Sequence, residues 1–255
     1  MKNFLYSVSL FLCWLLLASV PANAALTLRT ITVLADDAFY TNFSQLLQKH
    51  VAGGQVNYRS LQKDKAALQQ LVQQTSNYNL KNTSAAERKA FYINAYNVLV
   101  LQQVLSNYPL KSVMDVPGFF DKQKFNVAGE RLTLNEIEKQ KLIAPYKDAR
   151  LHFALVCAAK SCPPLLNKAY TPAQVEAQLE AQTKETLQDP TFIKVQANGK
   201  KVLVSEIFKW YEQDFKQEAS SVSAYINKYR SNPLPPGYKL GYYIYSWNLN
   251  DSVRQ

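Results

Sequence analysis

Between Arg150 and Pro164 the chain reads RLHFALVCAAKSCPP, which holds one of its two histidines and two of its three cysteines. A thiolate is a strong nucleophile and an imidazole changes charge near neutral pH. Cys157, Cys162 and His152 are therefore the residue types that acyl transfer uses as nucleophile and base. Such chemistry also uses an orienting amide or carboxylate, for which Asn94, Asn97 and Glu138 stand as candidates. The catalytic candidates are thus Cys157, Cys162, His152, Asn94 and Glu138. A helix starting near Pro163 would lower the pKa of Cys162 and make it the better nucleophile; a bend after His152 would favour Cys157. The two cysteines also have a plainer reading. In an oxidising compartment they commonly pair, and a Cys157–Cys162 bridge would staple a small loop in a binding or structural domain.

The local pattern bears on this choice. Leu151 to Cys157 reads as a buried strand, with Leu151, Phe153, Leu155 and Cys157 on one face and His152, Ala154 and Val156 on the other. In a regular strand His152 and Cys157 point opposite ways, so a direct dyad requires the strand to end or bulge. No C-x-x-C or H-x-x-x-H spacing occurs, so no metal site is expected. The seven glycines form no phosphate loop, so no nucleotide cofactor is expected either. The other histidine, His50, reads as a surface residue of a helix.

The elements that must position these residues are mainly helical. Phe39 to Val51 has apolar residues at helical spacing, and Ser60 to Gln74 reads as a further helix. Ser84 to Tyr108 is the strongest helix. It opens on a capping box, Ser84-x-x-Glu87, and is apolar nearly all round, so it is expected at the centre, buried. Asn94 and Asn97 lie three apart on it, where they either brace loops or orient a reacting group. Lys124 to Leu134 reads as a hairpin turning at Ala128-Gly129. Thr133-x-x-Glu136 opens a short helix whose Glu138 points either inward or to solvent. A helix starting at Thr171-Pro172 runs to Gln188. Phe192 to Val204 is a hairpin around Asn198-Gly199. Ser205 to Phe215 and Ser221 to Tyr229 are helices, and Leu240 to Trp247 is a closing strand. Helices outnumber strands and the strands come as hairpins, which makes the class α+β: a central buried helix packed with further helices and a small, mostly antiparallel sheet.

The N-terminus carries Lys2, an apolar run from Phe4 to Val20 and the small-residue spacing Ala22-x-Ala24. This is the pattern of a secretory signal peptide over residues 1–24, leaving one globular domain over 25–255, periplasmic or secreted. No later stretch is apolar enough to span a membrane. The net charge of +10 comes from scattered residues without a basic run, so nucleic acid is not an expected partner. A peptide-like or small-molecule ligand is.

Several motifs agree in order with a known family. They are Phe91-Tyr92-Ile93-Asn94-Ala95-Tyr96-Asn97, Leu134-Asn135-Glu136-Ile137-Glu138, His152 to Cys157 and Ser161-Cys162-Pro163-Pro164. Ile207 to Tyr211 with Asp214-Phe215, and Tyr245 to Asn250, complete the set. On these residues the chain resembles the domain of unknown function 547 family from about Tyr40 to Asn250. Tyr92 stands where that family usually has Trp, and Ser246 where it often has Asp. The resemblance implies a secreted or envelope bacterial protein of no settled activity. It also implies that Asn94, Glu138, His152, Cys157 and Cys162 meet in one cleft. The functional expectation is a thiol-dependent hydrolase or acyl transferase acting on peptide-like envelope material, or else a disulfide-stapled binding domain.

Overall fold

A computed structural model describes residues 38–252, and the cleavage site expected behind Ala24 lies outside them. The chain is built around α4, Ala85–Ser106. Ser84 caps it by accepting from the Glu87 N–H, the one arm of the expected capping box that forms. Its residues Ala90 to Leu101 are buried without interruption, so it packs on every side, as its all-round apolar sequence requires.

Around α4 lie α1 (residues 38–50), α2 (Tyr58–Lys63) and α3 (Lys65–Asn77). Asp64 breaks the helix expected over Ser60 to Gln74 into α2 and α3. Its backbone N–H closes α2 onto Leu61, and its carboxylate is drawn off to Lys49 and His50. His50 is not on the surface: it is 3% exposed, with Nε2 held by Asp64 at 2.8 Å and Nδ1 buried without a partner among the described residues. β1 (Val51–Ala52) and β2 (Gln55–Val56) form a short hairpin after α1. Its Gly54 holds φ +77°, and a Cβ there would come within 2.3 Å of the Pro164 Cβ, so glycine lets this turn support the loop after Cys162.

β3 (Phe125–Val127) and β4 (Glu130–Leu132) pair antiparallel around Ala128-Gly129, both at positive φ as a tight hairpin turn needs. Thr133 and Glu136 complete a reciprocal capping box at α5 (Leu134–Glu136). That helix continues through a π-helical stretch, Ile137–Ile143, into α6 (Ala144–Tyr146). The next long helix, α7, spans Val175–Gln188 and begins later than Thr171-Pro172, because residues 172–174 form a turn first.

β5 (Ile193–Gln196) and β6 (Lys201–Val204) form the expected hairpin, and β7 (Lys239–Tyr242) adds parallel to β6. The helix expected from Ser205 to Phe215 is two pieces, α8 (Ile207–Trp210) and α9 (Glu212–Glu218), broken at Tyr211. α10 (Val222–Tyr229) is capped by Ser221. The expected closing strand also divides. After β7, residues 246–250 pair instead with the cysteine segment: Ser161 N–H donates to Ser246 O, Lys160 N–H to Asn248 O and Asn250 N–H to Ala158 O.

Two apolar clusters result. One surrounds α4; the other, with Phe153, Phe208, Phe215 and Tyr225, underlies the three-stranded sheet. Cys162 and Trp247 pack against both, so the cysteine segment lies at their seam. Among the described residues no helix is long and apolar enough to cross a membrane.

Candidate active site

The segment expected as a strand, Leu151 to Cys157, has no strand pairing. Ala149–Phe153 is a 3-10 helix started by Asp148, whose carboxylate accepts from the Arg150 N–H. Leu151 O accepts from the N–H groups of Ala154 and Leu155. The next polar groups go to α4: Asn97 donates to Ala154 O at 3.0 Å and accepts from Val156 N–H at 3.0 Å. With its backbone satisfied by a turn and by one buried amide, the segment needs no neighbouring strand. This turn replaces the alternation that would have set His152 and Cys157 on opposite faces.

His152 and both sulfurs consequently line one pocket of about 190 Å³. The sulfurs of Cys157 and Cys162 are 2.20 Å apart, joined as a disulfide. Both residues are half-buried. The Cys162 sulfur accepts the Cys157 N–H at 2.9 Å and the Tyr245 hydroxyl at 3.2 Å. The same hydroxyl lies 3.1 Å from the Cys157 sulfur. No helix follows Cys162, so the helix-start argument for lowering its pKa does not apply. Cys162 also borders a second cavity of about 420 Å³, beside Gly54 and Pro164.

His152 is buried, and its Nε2 lies 2.8 Å from Asp214 Oδ2. An ionised carboxylate only accepts, so Nε2 carries the hydrogen and the neutral ring keeps its lone pair on Nδ1. Nδ1 has no hydrogen-bond partner among the described residues. Tyr211, at the break between α8 and α9, stacks on the imidazole with centroids 3.9 Å apart. Its hydroxyl donates to Glu138 Oε1 at 2.8 Å. Burial, then the Glu138 charge and hydrogen bond, push the Tyr211 phenol well above its usual range, so it stays a donor. Burial does the same to Tyr245.

The sequence candidates therefore separate. Glu138, His152, Cys157 and Cys162 share the pocket. Asn94 does not: it donates to Ala90 O and Tyr170 O and accepts from Tyr170 N–H, bracing the 169–171 loop against α4. Asn97 braces the segment between His152 and Cys157 without lining the pocket. Asp214, Tyr211 and Tyr245 were not among the site candidates, although each falls in a motif that carried the family resemblance. Trp210 and Trp247 complete an aromatic wall, their rings stacked 5.8 Å apart.

Residues 80–187 match the family model described as protein of unknown function, DUF547. The match runs from the approach to α4 to the end of α7 and takes in Asn94, Glu138, His152, Cys157 and Cys162. It confirms the resemblance to DUF547 across the segment that holds both sulfurs. The DUF547 match ends before Tyr211, Tyr245 and Trp247, which the fold brings to the same pocket, and before Asp214, which contacts the pocket residue His152. No curated protein and no solved structure matches the chain.

Proposed function

We propose that this protein is a thiol-dependent hydrolase or acyl transferase whose nucleophile is masked as a disulfide. The observation behind this reading is that both sulfurs and His152, whose Nε2 is held by Asp214, line one pocket. A dithiol reductant would supply two electrons and two protons, break the Cys157–Cys162 bond and itself become a disulfide. Cys162 is then the nucleophile, since the Cys157 N–H and the Tyr245 hydroxyl both donate to its sulfur and favour the thiolate.

In the reduced protein His152 Nδ1 takes the Cys162 proton, and Asp214 stabilises the imidazolium through Nε2. The thiolate attacks an acyl carbonyl carbon, and the Tyr245 hydroxyl donates to the developing oxyanion. The bond to the leaving amine or alcohol breaks as His152 returns the proton to it. Water or an acceptor nucleophile then cleaves the thioester, losing its proton to His152 and restoring the thiol. The substrate is peptide-like material of the cell envelope, reached after export and cleavage behind Ala24.

Alkylation of the reduced protein with iodoacetamide at pH 6 and pH 8 tests this. Cys162 is expected to react at pH 6 at a rate that His152→Ala loses. Equal rates in both proteins would sink the enzyme reading. Mass spectrometry of the mature N-terminus tests export, which a chain still beginning at Met1 would contradict. The bonded sulfurs favour a second reading, a stapled binding domain. On that reading Cys157→Ser/Cys162→Ser loses stability but no catalytic step.

A further inference from the structure

We infer that the pocket beside the disulfide binds an organic ammonium group, held by Glu138 and the aromatic wall of Trp210, Trp247 and Tyr245. The inference is independent of the thiol chemistry, because it concerns the protein with the bridge intact.

Glu138 is 8% exposed, yet only its Oε1 is engaged, by the Tyr211 hydroxyl. Its Oε2 has no hydrogen-bond or ionic partner among the described residues, and the side chain lines the pocket. A mostly buried carboxylate without a cation is costly, and an oxygen left open toward the pocket favours a positive ligand there. The pocket itself offers none: no Lys or Arg lines it, and its one basic side chain, His152, is engaged by Asp214.

The rest of the wall suits the same ligand. Trp210, Tyr245 and Trp247 pack together with centroids 4.8 to 5.8 Å apart, and all three face the pocket. Aromatic faces attract ammonium groups, tryptophan most strongly, and the attraction grows when water is excluded. Trp210 is 45% exposed, a large apolar ring left at the rim where a ligand would cover it. The volume of about 190 Å³ is below the roughly 300–1,000 Å³ of sites that enclose a whole drug-sized ligand. The pocket therefore takes one charged group, either a lysine-like primary amine or a quaternary headgroup, with the rest of the ligand outside.

The test uses the oxidised mature protein and its tryptophan fluorescence, since two of the chain's three tryptophans line the pocket. The probes are choline, its uncharged isostere 3,3-dimethylbutan-1-ol, and n-butylamine. Choline or butylamine should bind saturably and at least about tenfold more tightly than the isostere, and the stronger of the two identifies quaternary or primary ammonium. Glu138→Gln keeps the shape and the Tyr211 contact and should abolish the preference for charge. Trp210→Leu, at an exposed position, should weaken the preferred cation about tenfold even if Glu138→Gln fails to fold. Equal binding of cation and isostere, no binding of either cation, or an undiminished preference in Glu138→Gln would overturn the inference.

Discussion

His152 and Asp214 are 62 residues apart in sequence, and a 2.8 Å contact joins Nε2 of one to Oδ2 of the other. The contact fixes which ring nitrogen is free to act as a base. Asp214→Asn should therefore slow alkylation of reduced Cys162 at pH 6 at least about a hundredfold, the low end for loss of a positioned base. The same variant should leave the circular dichroism spectrum unchanged. A rate unaltered by Asp214→Asn would show that the pair does not act on the thiol.

Asn97 is the second positioning residue, because it holds the backbone between His152 and Cys157 to α4. Asn97→Ala leaves Ala154 O and Val156 N–H without their partner in the interior. A loss of about 3 kcal/mol in urea unfolding is expected. Asn94→Ala should cost a similar amount, from the groups of Tyr170 it abandons. Only the Asn97 variant should change the alkylation rate, since only Asn97 touches the site segment.

The Cys157–Cys162 bridge closes a loop of sequence separation 5. Chain entropy for so short a loop gives a stabilisation of about 2 kcal/mol. The double variant Cys157→Ser/Cys162→Ser should therefore remain folded, with a lower denaturation midpoint and no activity on any substrate of the thiol chemistry. Retained activity in that variant would assign the reaction to other groups.

Asp148 predicts the acid limb of stability. Burial alone would raise its pKa, but hydrogen bonds and charge from Arg150, with Lys89 beside them, hold it below the ordinary carboxylate range. A lowered folded pKa stabilises the protein above the unfolded value of about 3.9, and this is lost as pH falls through the folded value. Asp148→Asn should cost about 3 kcal/mol at pH 7, because Lys89 and Arg150 lose a buried partner. Its stability should also fall less steeply than wild type below about pH 4. Urea midpoints from pH 3 to pH 7 test both statements.

At Gly54 an added methyl group would meet Pro164 and would sit at an unfavourable positive φ. Gly54→Ala should destabilise by about 1–3 kcal/mol. It should also alter the alkylation rate of reduced Cys162, two residues before Pro164. A stable variant with unchanged reactivity would show that this turn does not support the cysteine loop.

The sequence by itself determined what short-range chemistry controls. The all-round apolar stretch after Ser84 has only one way to bury itself, as a central helix. Ala128-Gly129 makes a tight hairpin turn with both residues at positive φ, and Thr133 with Glu136 closes its own capping box; the β5–β6 hairpin also forms, but through a four-residue turn over 197–200 with positive φ at Gly199 and Lys200 rather than a two-residue turn at Asn198-Gly199. That Glu138, His152, Cys157 and Cys162 share a cleft was an expectation of the family resemblance rather than of local spacing, and Asn94, expected with them, lies outside the pocket. The tertiary structure decided the rest. Alternation suggested a strand from Leu151 to Cys157, but a strand needs a neighbour, and Asn97 from α4 answers the backbone instead. His152 finds Asp214, and Cys157 meets Tyr245 across 88 residues, only because α9 and the closing segment fold back over the cysteine loop. Pairings at that separation depend on how two apolar clusters close against each other, and nothing in the local sequence specifies that.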